Sequence, residues 1–409
     1  MTSSFRELVT FALGGGWGLE APADGYEMVA IIRGTDFANV TAGYVGDVPR
    51  RWEKSSKLPQ RLLRPGDIVL EISGGSSTKG QSTGRSLYVT TELLSLFEVP
   101  VICASFCRVI RIDSTVANSH YAFYGLQEMY SSRRAATYEN QSTGISNFQF
   151  ETFLDNERLR TPMVREQVAV ACVLRSLDEK IAVNNNIAKV ARDLSSLEYQ
   201  LATQAGTATS SVGDLAEIFD GPHATPTKTA TGPYFLSISS LDNGRLLLTE
   251  SAHLAEEDYQ LWTRRVTPRF GDTLFSYETR LGEAALMPRE LRACLGRRMA
   301  LLRPREGTGP KTLLQAYLSP TFQETIKQRA IRGATVDRIP LSDLAKWPID
   351  LPSCDLGRLE AVLGRLDDVA SSVDRENETL ASLRDTLLPK LMSGEIRVRD
   401  AEQVVEDAT

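Results

Sequence analysis

The segment SLDEKIAVNNNI, residues 176–187, decides the fold, because its pattern returns near the end of the chain as RLDDVASSVDRENETL, residues 365–380. In both segments the residues of one stripe lie three or four positions apart. This spacing is typical of an amphipathic helix that packs along a seam against another helix. The first stripe is Leu174, Leu177, Ile181, Asn184, Ala188, Ala191 and Leu194, and the second is Leu363, Leu366, Ala370, Val373, Asn377, Leu380 and Leu383.

The two stripes are an internal repeat, since each residue of the second lies 189 positions after its counterpart, as Leu363 does after Leu174. The pattern predicts helices from near Val164 to Leu201 and from near Leu356 to Met392. At about 1.5 Å per residue each would be roughly 45 to 60 Å long. Each stripe contains one asparagine, which either fixes the register of the seam or faces partly outward where the repeat loses phase.

The repeat extends upstream of both helices, so two α/β domains of similar layout are expected. In each, a Gly-Asp turn (residues 66–67 and 271–272) leads into an apolar strand. The similar segments are 5–18 and 212–225, 26–37 and 234–244, 64–75 and 267–279, 143–146 and 332–335, and 155–162 and 345–352.

These observations predict an α+β chain in which two mixed α/β domains alternate with two long helices. The first domain is placed at 1–162 and the first helix at 163–204. The second domain is placed at 205–352, and it begins with the Gly-, Ser- and Thr-rich stretch 205–213, which reads as a flexible join. The second helix is placed at 353–396 and a C-terminal tail at 397–409.

Composition indicates a folded protein, with 42% hydrophobic and 24% charged residues. The N-terminal segment lacks the layout of a secretory signal and no apolar run is long enough for a membrane span, so a cytoplasmic location is expected. The net charge of −6 gives no global attraction to nucleic acid, although arginine clusters occur at 50–64, 289–298 and 327–332. The five scattered cysteines favour buried free thiols over zinc ligands or disulfides.

The sequence offers no motif for catalysis. In GGSSTKGQS, residues 74–82, Lys79 precedes its glycine, whereas a phosphate-binding Walker loop has the lysine after it. GGGWG, residues 14–18, lacks the spacing of a dinucleotide site, and the motif expected of a base-amino methyltransferase is absent. His223 lies in a loop that a ligand could reach, but no serine or cysteine nucleophile motif accompanies it. We therefore expect no catalytic residues and no metal site in this chain.

Three further segments, in this order, resemble the specificity (S) subunits of type I restriction-modification systems over essentially the whole chain. The segments are TPMVREQVAVACVLRSLDEKI (161–181), DGPHATP (220–226) and LRDTLLPKLMSGEI (383–396). The resemblance implies two target recognition domains that read the halves of a split, asymmetric DNA site. It also implies an antiparallel coiled coil of the two helices with pseudo-two-fold symmetry. The implied partners are double-stranded DNA, methyltransferase subunits carrying S-adenosylmethionine, and restriction/translocase subunits.

For such a subunit, arginines and lysines would contact phosphates, and polar loop side chains would read base edges. The candidates, taken from matching loops of the two domains, are Ser76, Lys79, Gln81, Arg85, Arg133, Arg134, Thr225, Lys228, Tyr277, Arg280 and Arg332. Lys79 and Arg280 could equally be solvated loop residues.

Three other functions are compatible with the sequence. A stand-alone DNA-binding adaptor of another defence system would have no methyltransferase partner. A helical scaffold whose domains bind protein would carry apolar loop patches, whereas these loops are polar and rich in hydroxyl groups. A catalytic enzyme is the least favoured, because its motifs are missing.

Overall fold

The computed structural model describes residues 1–74, 82–142, 145–333 and 336–408. The chain divides into two compact units, one formed by Met1–Asn186 with Asp374–Thr409 and the other by Ile187–Val373. Each unit contains one α/β domain and parts of the two long helices. We call the α/β parts the first domain and the second domain.

The first unit opens with a run of short strands and helices before the first long helix. Its strands are β1 (Thr2–Ser4), β2 (Val9–Gly14), β3 (Tyr26–Ile32), β4 (Arg50–Lys54), β5 (Ile68–Glu71), β6 (Ser86–Tyr88), β7 (Val101–Cys103), β8 (Cys107–Ile112), β9 (Glu139–Ser142), β10 (Ile145–Phe148) and β11 (Arg158–Arg160). Its helices are α1 (Phe5–Leu8), α2 (Phe37–Thr41), α3 (Leu58–Arg61), α4 (Thr91–Ser95), α5 (Ser119–Ser131) and α6 (Phe150–Asn156), and the long helix α7 (Val164–Gln204) begins here.

The second domain follows the end of α7. Its strands are β12 (Thr207–Ser211), β13 (Ala216–Asp220), β14 (Lys228–Leu236), β15 (Leu241–Asp242), β16 (Arg245–Leu246), β17 (Ala252–Leu254), β18 (Thr273–Ser276), β19 (Ala284–Leu286), β20 (Ala293–Leu295), β21 (Met299–Pro304) and β22 (Pro348–Pro352). Its helices are α8 (Val212–Leu215), α9 (Tyr259–Trp262), α10 (Pro310–Leu318), α11 (Pro320–Arg329) and α12 (Leu341–Leu344); α13 (Leu356–Ser393) and α14 (Val398–Ala408) complete the chain. Short 3₁₀ turns lie at Gly34–Asp36, Arg134–Tyr138, Ile238–Ser240, Leu248–Glu250 and Glu256–Asp258.

The two domains share one sheet topology, which confirms the predicted duplication. The first contains an antiparallel sheet of order β2-β8-β5-β6, and the second an antiparallel sheet of order β13-β21-β18-β19. Beside it lies β4-β3-β7 in one and β17-β14-β20 in the other, each with one antiparallel and one parallel pairing. The first and last strands of each domain also pair, β1 with β11 and β12 with β22.

One of the two inner strands of each antiparallel sheet, β5 in the first domain and β18 in the second, is here called the central strand and is buried on both faces. In β5, Ile68 and Leu70 join one apolar cluster, while Val69 between them joins another. In β18, Phe275 and Leu274 face separate clusters in the same way. Because successive side chains of a strand point to opposite faces, an apolar run is the expected pattern for such a strand.

Each predicted Gly-Asp turn carries a buried ion pair. Asp67 is 2% exposed, and Arg111 donates to it from Nε at 2.8 Å and from Nη2 at 3.2 Å. Asp272 is 1% exposed and is bound by Arg303 at 2.9 and 2.7 Å. The preceding glycines have φ of 93° (Gly66) and 85° (Gly271), in the left-handed region that favours glycine. The matched turns fix the start of the central strand in both domains.

Within each unit the two long helices pack antiparallel along the predicted stripes. In the first unit Asp178 contacts Arg384 at 3.0 Å, and Asn184 contacts Glu376 at 2.8 Å. Residue numbers rise along one helix while those of its partners fall along the other, so the helices are antiparallel. In the second unit Ala188, Ala191 and Ala370 form a buried cluster against which Val373 packs. Leu174, Leu177, Leu363 and Leu380 are buried, while Ile181, Leu366 and Leu383 are partly buried.

Leu194 is an exception to the predicted seam, because 42% of it is exposed. The seam passes instead through Ser195 and Tyr199, which are 6% and 2% exposed. The prediction places the next seam residue three positions after Ala191, whereas in the structure it lies four positions after Ala191. An α-helix has 3.6 residues per turn, so a step of three and a step of four both stay near the same face. Spacing alone therefore does not decide which residue ends the stripe.

Both seam asparagines lie inside the helix pair of the first unit. Asn184 is fully buried, and Asn377, 8% exposed, donates from Nδ2 to Oδ1 of Asn185 at 3.0 Å. The Oδ1 atoms of Asn184 and Asn377 are buried and accept no hydrogen bond from the described residues. The alternative in which these side chains face outward is therefore wrong.

Several other segments differ from the sequence-based expectations. Residues 207–211, within the predicted flexible join, form β12 and pair with β22, so hydroxyl-rich composition here marks an edge strand. Within the predicted C-terminal tail, α14 buries Ala401 completely. Tyr234 in β14 pairs with the first residue of its parallel neighbour β20, just as Ala30 in β3 pairs with the first residue of β7. Tyr234 therefore corresponds to Ala30. The predicted match of segment 234–244 with 26–37, which sets Tyr234 against Tyr26, is wrong.

The prediction of buried thiols holds for some of the cysteines only. Cys103, Cys107 and Cys294 are buried, and burial raises the pKa of Cys103 to about 12. Cys172 and Cys354 are exposed.

Candidate functional site

The polar loops of each domain converge at one end of its sheets, which we call the loop end. In the first domain the described residues of the loop end are 14–18, 72–74, 82–85, 104–107 and 146–148, and in the second they are 220–226, 277–283, 296–299 and 336–339. Backbone hydrogen bonds join these segments. Ile72 N donates to Phe106 O at 2.9 Å in the first domain, and Tyr277 N donates to Arg298 O at 3.1 Å in the second. The loop ends are therefore built alike.

A buried ion pair supports the loop end of the first domain. Glu71, 4% exposed, accepts two hydrogen bonds from Arg85, from Nη2 at 2.6 Å and from Nε at 2.8 Å. These hydrogen bonds raise the pKa of Arg85. A Cβ atom on Gly34 would lie 2.2 Å from Glu71 Oε1, so a larger residue at this position would push the carboxylate away from Arg85. Arg85, predicted to contact DNA, thus holds the base of its loop. Ser76, Lys79 and Gln81 of the same prediction lie outside the described residues.

Asn147 lies beside the start of this loop and was not among the predicted residues. Ser73 donates to its Oδ1 at 3.0 Å, and its side chain is exposed. An asparagine held at its oxygen can still donate from its amide, and amides are suited to reading adenine. A β-bridge between Ser73 and Asn147 and the backbone hydrogen bond from Phe148 N to Ile72 O at 2.8 Å bring Asn147 to the loop end, and no local sequence pattern signals this pairing.

Arg133 and Arg134 are adjacent in sequence but differ in environment. Arg133 has φ of 63°, is exposed, and forms no side-chain hydrogen bond among the described residues. Arg134 forms ion pairs with Glu128 at 2.5 Å and Glu157 at 3.1 Å. Glu157 is buried and also accepts a hydrogen bond from Tyr138 at 2.8 Å. Arg134 therefore has a structural role, and Arg133 is free to contact a ligand.

In the second domain a connected polar group occupies the loop end. Asp220 pairs with Arg265 at 2.6 Å and with His223 Nε2 at 3.3 Å, while the other ring nitrogen of His223 lies 3.5 Å from the Tyr277 hydroxyl. Burial raises the pKa of Tyr277, as do the neighbouring carboxylates of Glu278 and Asp220. Tyr277 is 7% exposed, so it supports the loop rather than presenting its ring to solvent.

The remaining predicted residues of the second domain are exposed. Arg280 forms an ion pair with Glu283 at 3.2 Å and has 41% of its side chain exposed. Thr225, Lys228 and Arg332 are exposed as well. Arg297, which was not predicted, lies exposed in the turn after β20 and forms no ion pair within the described part of the chain.

The described residues contain no group of three or more His, Cys, Asp or Glu side chains placed to hold a metal ion. No helix among them is long and apolar enough to cross a membrane.

Comparison with known proteins gives matches to solved structures alone. No family model matches the sequence, and no curated protein matches it. The chain is similar to the crystal structure of a type I restriction-modification S subunit from M. genitalium, with a TM-score of 0.54 and 15% identity over 96% of each chain. It also matches a type I R-M system structure on complex assembly (TM-score 0.39, 17% identity, 97% and 98% coverage). A third match is the HsdS subunit of Thermoanaerobacter tengcongensis (TM-score 0.35, 16% identity, 97% of each chain).

Proposed function

We propose, from the premise that this chain has the fold of a type I restriction-modification S subunit, that it is the DNA sequence-recognition subunit of such a system. Each domain reads one half of a bipartite, asymmetric site on double-stranded DNA. The chain itself is non-catalytic. The methyltransferase subunits that it docks carry S-adenosylmethionine and methylate the bases, and restriction/translocase subunits join them for cleavage.

The duplication is the observation that carries this proposal. Two domains with the same sheet order present their loop ends from the same strands, and each is followed by one long helix of an antiparallel pair. A split DNA site needs two separate reading modules, and the duplicated domains supply them. The loops differ between the domains while the buried Asp–Arg turns do not, as expected when each module reads a different sequence.

The exposed cations define how each domain would be positioned on DNA. Arg133 in the first domain and Lys228, Arg297 and Arg332 in the second are exposed. Such residues contact phosphates and position a module, while base edges are read by polar side chains such as Asn147 and Thr225. The net charge of −6 is then consistent with partner subunits that supply further attraction to DNA.

A second apolar stripe on α7 supports docking of a methyltransferase subunit. In the second unit its members are exposed and spaced by three or four residues; they are Ile187, Val190, Leu194, Leu197 and Leu201, with exposures from 39% to 52%. Exposed apolar residues in such a row form the kind of surface that another helix covers. Leu194 thus belongs to the outer stripe and not to the seam.

Co-expression with a neighbouring methyltransferase gene, followed by mapping of methylated bases in host DNA, tests the proposal. The expected result is a split asymmetric motif methylated on both strands. A matched pair of variants assigns the halves. Arg133→Ala should weaken methylation through the first half-site and Arg332→Ala through the second. Purification of a stable complex without any methylation would contradict the proposal.

A further inference from the structure

The turn between β7 and β8 presents a bare aromatic side chain at the loop end of the first domain. Cys107 N donates to Ala104 O at 2.9 Å, which closes the turn, and Phe106 is 58% exposed. The Phe106 carbonyl accepts from Ile72 N at 2.9 Å and Ser73 N at 3.2 Å. The backbone of Phe106 is therefore fixed to the start of the loop that follows β5, while its ring stays in solvent.

The same turn exists in the second domain with a different chemistry. Gly296 N donates to Leu236 O and Met299 N to Gly296 O, matching Ala104 N to Ile32 O and Cys107 N to Ala104 O. With Tyr277 N donating to Arg298 O, these bonds place Arg298 where Phe106 lies. The residues of the second turn are Gly296, Arg297, Arg298 and Met299.

Charge distinguishes the two turns. Arg298 is tied to Glu278 by an ion pair of 2.8 Å, which leaves Arg297 as the exposed cation of the second turn. The first turn has no charged residue, since it reads Ala-Ser-Phe-Cys. An exposed cation in this turn suits a phosphate, whereas an exposed apolar ring suits the faces of bases.

Phe106 also differs from the other exposed aromatic residue nearby. Trp17 is 39% exposed, but the guanidinium of Arg51 lies over its ring at 5.3 Å. Among the described residues no ring or guanidinium covers Phe106. An aromatic ring left in water at a rigid position gains when it stacks on another flat apolar surface.

We propose that Phe106 stacks on a base of the first half-site, as an apolar wedge that enters the base stack. In the second domain Arg297, one position before Arg298 in the matching turn, contacts a phosphate instead. This inference rests on the proposed function, because it requires the first domain to bind DNA. Inserted phenylalanines unstack and kink DNA, so the wedge would also make binding depend on how easily the step opens.

Binding measurements on the complex of the full chain with its methyltransferase subunit test the inference. The probe is a fluorescent duplex carrying the bipartite motif found by methylation mapping, titrated over a range of salt concentrations. We expect Phe106→Ala to lose about tenfold in affinity with an unchanged salt slope, because stacking releases no counterions. Phe106→Trp should retain the affinity. Arg297→Ala should instead reduce the salt slope by about one.

Leu96→Ala is the matched control, because Leu96 is 43% exposed and precedes β7, at the end opposite the turn. Unchanged affinity in Phe106→Ala, or an equal loss in Leu96→Ala, would overturn the inference. So would a variant that loses the methyltransferase subunit yet binds DNA as before, since Phe106 would then contact protein. If the unaltered complex bound no DNA specifically, the proposed function itself would fall as well.

Discussion

Arg303 binds Asp272 through two parallel hydrogen bonds, from Nε to Oδ1 at 2.9 Å and from Nη2 to Oδ2 at 2.7 Å. Its Nη2 atom also donates to the carbonyl of Thr267 at 2.9 Å, and its guanidinium lies over the ring of Phe219. Arg111 makes the matching set of contacts with Asp67 in the first domain. The pair is thus part of the repeated frame and not of the variable loops.

Replacing Arg303 with alanine should destabilise the second domain by about 3 kcal/mol, because Asp272 would remain as a buried charge without its partner. Urea unfolding followed by tryptophan fluorescence measures this, since Trp347 is buried in the second domain. The double variant Asp272→Asn with Arg303→Met should recover much of the loss. Equal stability of Arg303→Ala and the unaltered chain would show that the pair does not hold the turn.

The neighbours Arg133 and Arg134 should respond oppositely to substitution. Arg134→Ala should cost about 2 kcal/mol of stability, because buried Glu157 loses a charged hydrogen-bond donor. Arg133→Ala should leave stability unchanged and weaken DNA binding with a lower salt slope. The check is thermal unfolding beside DNA titration for both variants; the reverse assignment would contradict the structure.

Acid should destabilise the first domain through His120. Its ring stacks on Tyr88 at 3.7 Å, and burial lowers its pKa to about 4, with a further contribution from Arg175. The unfolded chain, with a histidine pKa of about 6.5, then binds more protons than the folded chain, so stability falls as the pH drops from about 6.5 to about 4. His120→Phe keeps the stack and should flatten this dependence in urea unfolding at pH 7 and pH 5. An identical slope in variant and unaltered chain would rule His120 out.

Asn377 lies in the seam of the helix pair, and we expect it to lower the stability of that pair. Its Oδ1 atom is buried without a hydrogen bond among the described residues, so Asn377→Leu should stabilise the pair by about 1 kcal/mol. Calorimetric unfolding measures the change. A loss of stability would mean that the 3.0 Å hydrogen bond to Asn185 outweighs the unsatisfied oxygen.

Two positions on α7 separate folding from partner binding. Ala191 is 5% exposed at the seam, and Leu194 is 42% exposed on the outer stripe. Ala191→Lys should unfold the helix pair, whereas Leu194→Lys should fold normally and lose co-purification with the methyltransferase subunit. Retained co-purification in Leu194→Lys would place the docking surface elsewhere.

The long helices could be predicted closely from sequence, because their stripes repeat over many turns. The predicted start at Val164 coincides with that of α7, and the predicted end at Met392 is one residue short of the end of α13. The seam was misplaced only at its end, where Leu194 and Ser195 both fit a local spacing of three or four. Hydrophobicity alone predicts Leu194 as the seam residue, whereas the rotation of the helix places Ser195 there.

The loop ends could be predicted much less well. In the sequence, Arg85 and Arg134 look like arginines that could contact DNA. Their acidic partners Glu71 and Glu157 lie 14 and 23 positions away in the chain, so the sequence does not reveal the ion pairs. Asn147 and Phe106 reach the loop end only through pairing with a distant strand or turn. Which charges are neutralised and which side chains stay bare depends on tertiary contacts, and these leave no local pattern.

The pairing of β1 with β11 and of β12 with β22 places the first and last strands of each domain side by side. A domain whose two ends are adjacent can be exchanged as a unit. Any replacement that ends in two pairable strands could be spliced between the same junctions, leaving the helices to run on unchanged. Under the proposed function, recombination of whole domains would change the DNA preference of one half-site at a time and leave the helices as they are.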